Sequence, residues 1–388
     1  MKIVFYMATI LEHGGGLEKY FIETVKKLSE FPNIGVDVVT MDDNFSYKVV
    51  NLLSFYYFKK INRKSLYKES IDTIKQKLGE ATYHKCKSLK ELKEKLNEYD
   101  IIYSKNELLE ALIFKFIIKY KNVPPIIFGC HTPVYYPVAD SIQSKLHNFL
   151  YNGFVYKYLA KGVRKFHVLN SEDASCLGKL FPKRSIIKIY NPFDYNEFIQ
   201  KAEKYKYNFS LDKSKLNIIW AGKLIEQKGI DDLIKIINMI NKSEYKNKII
   251  WNICGDGTEK EKILNLKKWQ NVNYFGHVEN NYMASIYKEN DLFISTSHWE
   301  GFPYNLLEAQ SAGLPVLAYN ISGCNDIIDN KVNGILVEDI NQFKNEIINI
   351  IEGKYKFCDI NKYIVKKFDQ NLIYKQLIDL YKSVVEEK

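Results

Sequence analysis

Residues 298–318 read HWEGFPYNLLEAQSAGLPVLA. A strand-like run, DLFIST (291–296), leads into this stretch, and a second, PVLAY (315–319), leads out of it. Pro303 suits the first turn of a helix, where its missing N–H costs nothing. Gly313 and Pro315 suit the end. The spacing therefore predicts a strand, a loop, a helix over about 303–312, and another strand. Two carboxylates ride on this unit. Glu300 falls in the loop ahead of the helix. Glu308 falls on its flank, ~7.5 Å beyond Pro303 at 1.5 Å per residue. Between them the helix N-terminus presents N–H groups from Phe302, Tyr304 and Asn305, on which a phosphate can dock.

Outward from this stretch the same alternation fills the chain. In the first half, strand-like runs fall at 2–9, 36–41, 100–104, 125–130, 165–170 and 186–190. In the second half they fall at 216–223, 248–255, 272–276, 291–296, 315–319 and 334–338. Helical patterns such as LEKYFIETVKKLSEF and ELLEALIFKFIIKYK separate them. Unbroken apolar strands alternating with helices imply parallel sheets covered on both faces. The pattern occurs twice, which predicts two doubly wound, Rossmann-like domains: 1–195 and 210–368. The boundary is placed in the polar, lysine-rich stretch after Asn191-Pro192. Segment 44–98 has a weak strand signal and reads as an insertion. The last segment, 369–388, is an amphipathic helix with Ile373, Leu377 and Leu380 on one face.

The chain has 388 residues, 46% of them hydrophobic, and a net charge of +10. That surplus suits an anionic partner without choosing among them. The six cysteines lie apart, so no metal knuckle or redox pair is visible and a reducing compartment is expected. The opening MKIVFYMATIL runs into EHGGG with no small-residue cleavage site and reads as a first buried strand. No apolar run reaches the ~18 residues of a membrane span. The expected location is cytoplasmic, with contact at the inner face of the cell membrane.

Two further stretches carry chemistry. EHGGGLEKYF follows the first strand, and its glycines allow close backbone approach to a ligand. It is not G-x-G-x-x-G, so the dinucleotide fingerprint fails. AGKLIEQKG places Lys223 and Lys228 on a loop after a strand, where open α/β sheets bind ligands. Two cations there suit a diphosphate, and a carboxylate at each end suits paired hydroxyls. A sugar nucleotide has both, with sugar at one end and ribose at the other.

Glu300-x(7)-Glu308 resembles the E-x7-E signature of retaining glycosyltransferases of family 4, which have the GT-B architecture. The resemblance extends to the GGGLE loop, HTP at 131–133, IYNPFD at 189–194, AGKLIEQKG, GDG at 255–257 and FGHV at 275–278. It implies that the C-terminal helix crosses back to the first domain and that the two domains close on the donor. By the same resemblance Gly15 and Gly16 approach the donor phosphate, and Lys223 and Lys228 neutralise the diphosphate. The backbone around Val278 meets the base, Glu300 holds the transferred sugar, and Glu308 holds the ribose. His131 points toward acceptor and sugar. Two departures stand out: Lys223 where the family usually has Arg, and Gly323-Cys-Asn-Asp326 in place of a glycine-rich stretch ending in Glu. Lysine keeps the charge but loses the planar fork.

The implied reaction is retaining, metal-independent transfer of a hexosyl unit from a nucleoside-diphosphate sugar, UDP-sugar favoured, to a hydroxyl. No D-x-D or histidine cluster suggests a metal, and no cofactor is expected beyond the donor. The acceptor expected is a lipid-linked or cell-envelope polysaccharide or lipopolysaccharide. Mixed basic and aromatic stretches at 55–68 and 145–165 suggest peripheral contact with an anionic membrane. A sugar-nucleotide epimerase of the same fold is one alternative. A basic nucleic-acid-binding protein is another, although no nucleic-acid motif stands out and no such partner is expected.

Overall fold

The computed structural model describes residues 1–13, 16–45, 70–136, 142–208 and 211–387. The chain divides into two compact units: Met1–Pro192 with Asn371–Lys388, and Phe193–Gln370. The helix Tyr195–Lys204, in the polar stretch after Pro192, belongs to the second unit and packs against the helix Asn280–Glu289.

The first unit is built on a parallel sheet of seven strands. They are β1 (Lys2–Met7), β2 (Gly35–Met41), β3 (Tyr83–Cys86), β4 (Ile101–Lys105), β5 (Ile126–Cys130), β6 (Lys165–Val168) and β7 (Ser185–Lys188). Their order is β3-β2-β1-β4-β5-β6-β7. The central strands are apolar runs because helices cover both faces: Ile3 to Met7 are fully buried, as are Ile101 to Tyr103.

β3 corrects the reading of 44–98 as an insertion. It pairs in parallel with β2 and is flanked by the helices Ile71–Leu78 and Leu89–Leu96, so 70–98 is an integral part of the sheet. Residues 46–69, which include the whole basic–aromatic stretch 55–68, lie outside the described residues. The strand signal was weak because β3 is a short edge strand. Only Tyr83 and Cys86 are buried, while His84 and Lys85 between them are half exposed.

The C-terminal helix Gln370–Glu386 returns to this first unit. Ile373, Leu377 and Leu380 are buried as expected, together with Tyr374, Tyr381 and Val384. Tyr381 meets Phe5 of β1 and Tyr103 of β4 at ring-centroid distances of 6.4 and 6.0 Å. Each buried side chain of this size contributes roughly 1.5–3 kcal/mol. Truncation after Asp369 should therefore lower the melting temperature by more than about 10 °C, or abolish folding of the first unit. A truncated protein that melts with the full chain would show the helix to be dispensable.

The second unit holds six parallel strands: β8 (Leu216–Ala221), β9 (Ile249–Cys254), β10 (Val272–Gly276), β11 (Leu292–Ser295), β12 (Val316–Tyr319) and β13 (Gly334–Val337). Their order is β10-β9-β8-β11-β12-β13. Several runs that read as strands end a residue or two early in the fold. β1 stops at Met7 and β8 at Ala221. Their trailing residues turn into loops at the carboxyl ends of the sheets. In each sheet the order reverses once, between β1 and β4 and between β8 and β11. Open parallel sheets bind ligands in that crevice.

Candidate active site

In the second unit the crevice lies between the loops that follow β8 and β11. After β8 the chain makes a short 3-10 turn, Glu226–Lys228, and enters the helix Ile230–Asn241 through Gly229. Gly229 has φ +62°, and a Cβ there would lie 1.9 Å from the Thr296 carbonyl oxygen. Glycine is required on both counts. The Thr296 hydroxyl donates to the Lys228 carbonyl at 2.8 Å, the His298 N–H donates to the Gln227 carbonyl at 2.9 Å, and the Gln227 amide donates to the Trp299 carbonyl at 2.9 Å. These bonds stitch the two loops together. Their result is a short ion pair, Lys228 Nζ to Glu300 Oε1 at 2.5 Å, with Glu300 7% exposed.

Asp232, His298 and Tyr319 brace this arrangement from behind. Asp232 Oδ2 lies 3.1 Å from His298 Nε2 and accepts from the Tyr319 hydroxyl at 3.2 Å. Burial pushes the Asp232 carboxyl up, but hydrogen bonds from His298 and Lys235 outweigh it and hold the group below its ordinary value. On the other side, Gly323 at φ +81° lets its backbone pass against Glu300 and Gly301; a Cβ would lie 2.8 Å from the Gly301 carbonyl. Asp326 is buried on the short helix that follows.

The helix after Glu300 runs Tyr304–Ser311, with Pro303 at its N-cap and no side chain capping it. Its bounds lie within a residue of those expected from sequence, and no side chain of the cap satisfies its first N–H groups. The Asn305 amide adds something that sequence did not suggest: it donates to the Ala221 carbonyl at 2.9 Å, tying the helix to the end of β8. Glu308 sits half-buried on the helix flank, with the Tyr287 hydroxyl 3.4 Å from its Oε2. Lys223 is exposed and makes no ion pair among the described residues. Val278 is half-buried after β10. The loops after β8, β9 and β10 are tied to one another by backbone hydrogen bonds. Leu224 N–H donates to Asp256, and Gly255 N–H to Gly276; a Cβ at Gly255 would lie 1.9 Å from the Gly222 carbonyl. This is why GDG at 255–257 carries glycines.

In the first unit Gly15 lies outside the described residues, and Gly16 opens the helix Gly16–Ser29. The turn before them is anchored by the overlooked strand. Buried Glu12 receives hydrogen bonds of 2.7 Å from both the Tyr83 hydroxyl and Lys85 Nζ of β3. Burial raises the Glu12 carboxyl, but those two partners more than compensate and hold it below its ordinary value.

His131 follows β5 and joins a chain of polar groups across three neighbouring strands. The Tyr103 hydroxyl of β4 lies 2.9 Å from His131 Nε2 and 2.7 Å from His167 Nδ1 of β6. Gly129 makes room for it, since a Cβ there would lie 2.1 Å from that hydroxyl. His167 Nε2 lies 2.8 Å from the Ile189 carbonyl, which can only accept, so Nε2 carries the hydrogen. Burial lowers the His167 pKa to about 4 against the opposing Ile189 bond, so the ring is neutral and its Nδ1 bare. Tyr103 therefore donates to His167 and accepts from His131 Nε2–H. Burial, with His167 nearby, holds His131 well below its ordinary value as well, with only Asn191 opposing. With the hydrogen on Nε2, the neutral His131 ring leaves Nδ1 as an acceptor, and neither it nor the nearby Asn191 Oδ1 makes a hydrogen bond of ordinary geometry. Sequence singled out His131 but not Tyr103 or His167, whose separations of 28 and 36 residues from it leave no local pattern.

Among the described residues, no group of three or more His, Cys, Asp or Glu side chains is placed to hold a metal, and no helix is long and apolar enough to cross a membrane.

The geometry can be set beside known proteins. The family model "Glycosyl transferases group 1" matches residues 201–367. An uncharacterized 41.2 kDa protein in the cps region of Klebsiella pneumoniae is 26% identical over 303 residues, covering 74% of this chain and 80% of that protein. The UDP-Gal:alpha-D-GlcNAc-diphosphoundecaprenol alpha-1,3-galactosyltransferase of Escherichia coli is 26% identical over 326 residues, 76% of this chain and 78% of its own. Among solved structures, Anabaena HepE in complex with UDP and glucose is similar with a TM-score of 0.66 at 16% identity, over 99% of this chain and 100% of that one. The apo lipopolysaccharide outer core galactosyltransferase WaaB has a TM-score of 0.68 at 18% identity, over 99% of each chain. At these identities the structures speak for the fold, two doubly wound units of GT-B type. Residues 201–367 thus match the glycosyl transferases group 1 family, and this match together with the curated relatives reads the chain as a glycosyltransferase.

Proposed function

We propose that this enzyme transfers a hexosyl unit from a UDP-sugar, with retention, to a hydroxyl of a lipid-linked or cell-envelope glycan. The observation that carries this reading is the Lys228–Glu300 pair at the order reversal of the second sheet, just ahead of an uncapped helix N-terminus bearing Glu308. A cation and helix N–H groups suit the diphosphate, Glu300 the sugar, and Glu308 the ribose. The choice of UDP and of a lipid-linked or capsular acceptor is supported by the relatives' printed names, which include a capsular polysaccharide biosynthesis glycosyltransferase of Staphylococcus aureus.

In the proposed step the bond from the anomeric carbon to the leaving phosphate oxygen breaks. The acceptor oxygen bonds to the same face of that carbon, and the acceptor proton passes to the departing phosphate oxygen. Lys223, Lys228 and the helix N–H groups stabilise the charge that develops on the diphosphate. His131 would accept a hydrogen from a hydroxyl of the sugar at Nδ1, the ring nitrogen the relay leaves bare, with Asn191 turning aside. No step requires a metal, so turnover should persist in EDTA; loss of turnover restored by Mg²⁺ or Mn²⁺ would overturn the metal-free step.

Thermal-shift titration against UDP- and GDP-sugars tests the donor directly, because a ligand that binds only the folded state raises the melting temperature. Glu308→Ala should weaken UDP-sugar binding by roughly 2–3 kcal/mol, the range for a lost charge-assisted hydrogen bond. The loss should extend to UDP itself, since ribose is common to both. A variant that binds UDP like the parent would remove Glu308 from the ribose.

A further inference from the structure

The positive charge of this protein is concentrated. Between Ala111 and Phe193 there are twelve Lys or Arg against three Asp or Glu, a surplus of nine in a chain whose total is +10. No carboxylate at all occurs between Asp140 and Glu172. The fold gathers part of this segment around a groove of about 590 Å³ in the first unit, between the helix Phe154–Leu159 and the turn after the helix Ser171–Leu180. Lys157, Lys161, Lys183 and Arg184 line it. The three lysines are exposed and form no ion pair among the described residues.

Large apolar rings stand in the open beside these cations. Phe154 is 77% exposed, Phe149 65% and Tyr158 53%, and Phe116, 52% exposed, lies 6.3 Å from the Tyr158 ring. Lys115 Nζ sits 4.1 Å above that same ring. Phe116 is turned outward on a stretch in which Ile113, Phe114 and Ile118 are buried and Ile117 is half-buried, so its exposure is not the fraying of a loose segment.

We propose that this face docks the enzyme on an anionic phospholipid bilayer, with the rings of Phe149, Phe154 and Tyr158 entering the interface and Lys157, Lys161, Lys183 and Arg184 meeting lipid phosphates. The two features together select the occupant. A soluble polyanion would engage the cations but gain nothing from exposed phenyl rings. An apolar protein partner would use the rings but not an acid-free cationic rim. A bilayer surface uses both, because rings partition into the interface while lysine stems lie along it with their heads in the phosphate layer. The inference deepens the lipid-linked acceptor reading, since a lipid-anchored substrate is presented at such a surface. None of the residues of the docking face is among the donor-binding residues named above.

The test is co-sedimentation of the full chain with vesicles of phosphatidylcholine alone and of equal parts phosphatidylcholine and phosphatidylglycerol. Binding should require the anionic lipid and weaken with salt. The triple reversal Lys157→Glu, Lys161→Glu, Lys183→Glu should lower partitioning by on the order of 100-fold, three charges each contributing about tenfold or less. Reversing the exposed Lys242, Lys267 and Lys288 of the second unit should leave it unchanged. Phe154→Ser with Tyr158→Ser should lower the binding that survives high salt. All of these side chains are exposed, so melting temperatures and UDP-sugar hydrolysis should match the parent. Equal binding by the groove variant, or equal loss in the second-unit control, overturns the proposal. So does indifference to the ring substitutions, which would leave only an anion-binding face open to nucleic acid or heparin. Failure of UDP-sugar hydrolysis in the parent would instead sink the donor reading and leave the vesicle result standing.

Discussion

Glu300→Ala should lower turnover by on the order of 10²–10³ while UDP binds as tightly as before, or several-fold more tightly. On the proposed placement of Glu300 at the transferred sugar, the substitution removes a charged group from the place where positive charge would develop. The second half of the expectation follows from the ion pair. Without ligand, Lys228 Nζ is held 2.5 Å from Glu300 Oε1 in a largely buried place. A diphosphate arriving on that loop must draw the ammonium from the carboxylate, and so frees Glu300 for the sugar hydroxyls. Without Glu300 the ammonium is available from the start, and UDP no longer competes for it. Glu300→Gln tests the same point with the shape kept. Isothermal titration with UDP, set beside single-turnover rates, separates the two effects. A tenfold loss of UDP affinity in Glu300→Ala would show that the pair supports donor binding rather than competing with it. Lys228→Met should do the reverse, weakening UDP, and should destabilise the fold through the buried carboxylate left behind.

Tyr103→Phe should destabilise the first unit by about 2–4 kcal/mol, because one hydroxyl satisfies two ring nitrogens and each is left without its partner. For a unit of this size that is roughly 5–10 °C in melting temperature. Turnover should fall as well, since nothing then fixes which nitrogen of His131 carries the hydrogen. A variant that melts within a degree of the parent would dissolve the relay. The same cluster sets an acid limb. His167 titrates near pH 4 in the fold against about 6.5 in the unfolded chain, and His131 is lowered too, both chiefly by burial. Between those values the unfolded state binds protons that the fold refuses, so stability is lost as pH falls from about 6.5 toward 4. The loss is about 3 kcal/mol for His167 alone. His84 and His147, lowered chiefly by burial, act in the same direction. The lowered carboxylates Glu12, Asp37 and Asp232 stabilise the fold above their ordinary range near pH 4, and that contribution is lost as pH falls through it. A flat melting curve between pH 7 and 4.5 would mean that these rings are already charged in the fold.

Much of the architecture was legible from local pattern. The apolar strands of both sheets could be read because strands covered on both faces need no polar alternation, and helices between parallel strands are obligatory. The helix after Glu300 was bracketed by Pro303 and Gly313, residues whose backbone demands are local. Glu300 and Glu308 could be placed at its head and flank by counting residues. The C-terminal helix announced a buried face through Ile373, Leu377 and Leu380, although only the fold supplies Phe5 and Tyr103 as the rings beneath Tyr381. β3 escaped because an edge strand of four residues buries only its two ends and carries His84 and Lys85 between them. The pairing of Lys228 with Glu300 joins residues 72 apart and depends on β8 and β11 being neighbours, which is a property of strand order. The relay of Tyr103, His131 and His167 needs β4, β5 and β6 side by side and a glycine at 129 to let the hydroxyl through. Local sequence specifies backbone periodicity and end signals, because those forces act within a few residues. Which charged or titratable groups meet is decided by strand order and close packing, which act between residues far apart in the chain.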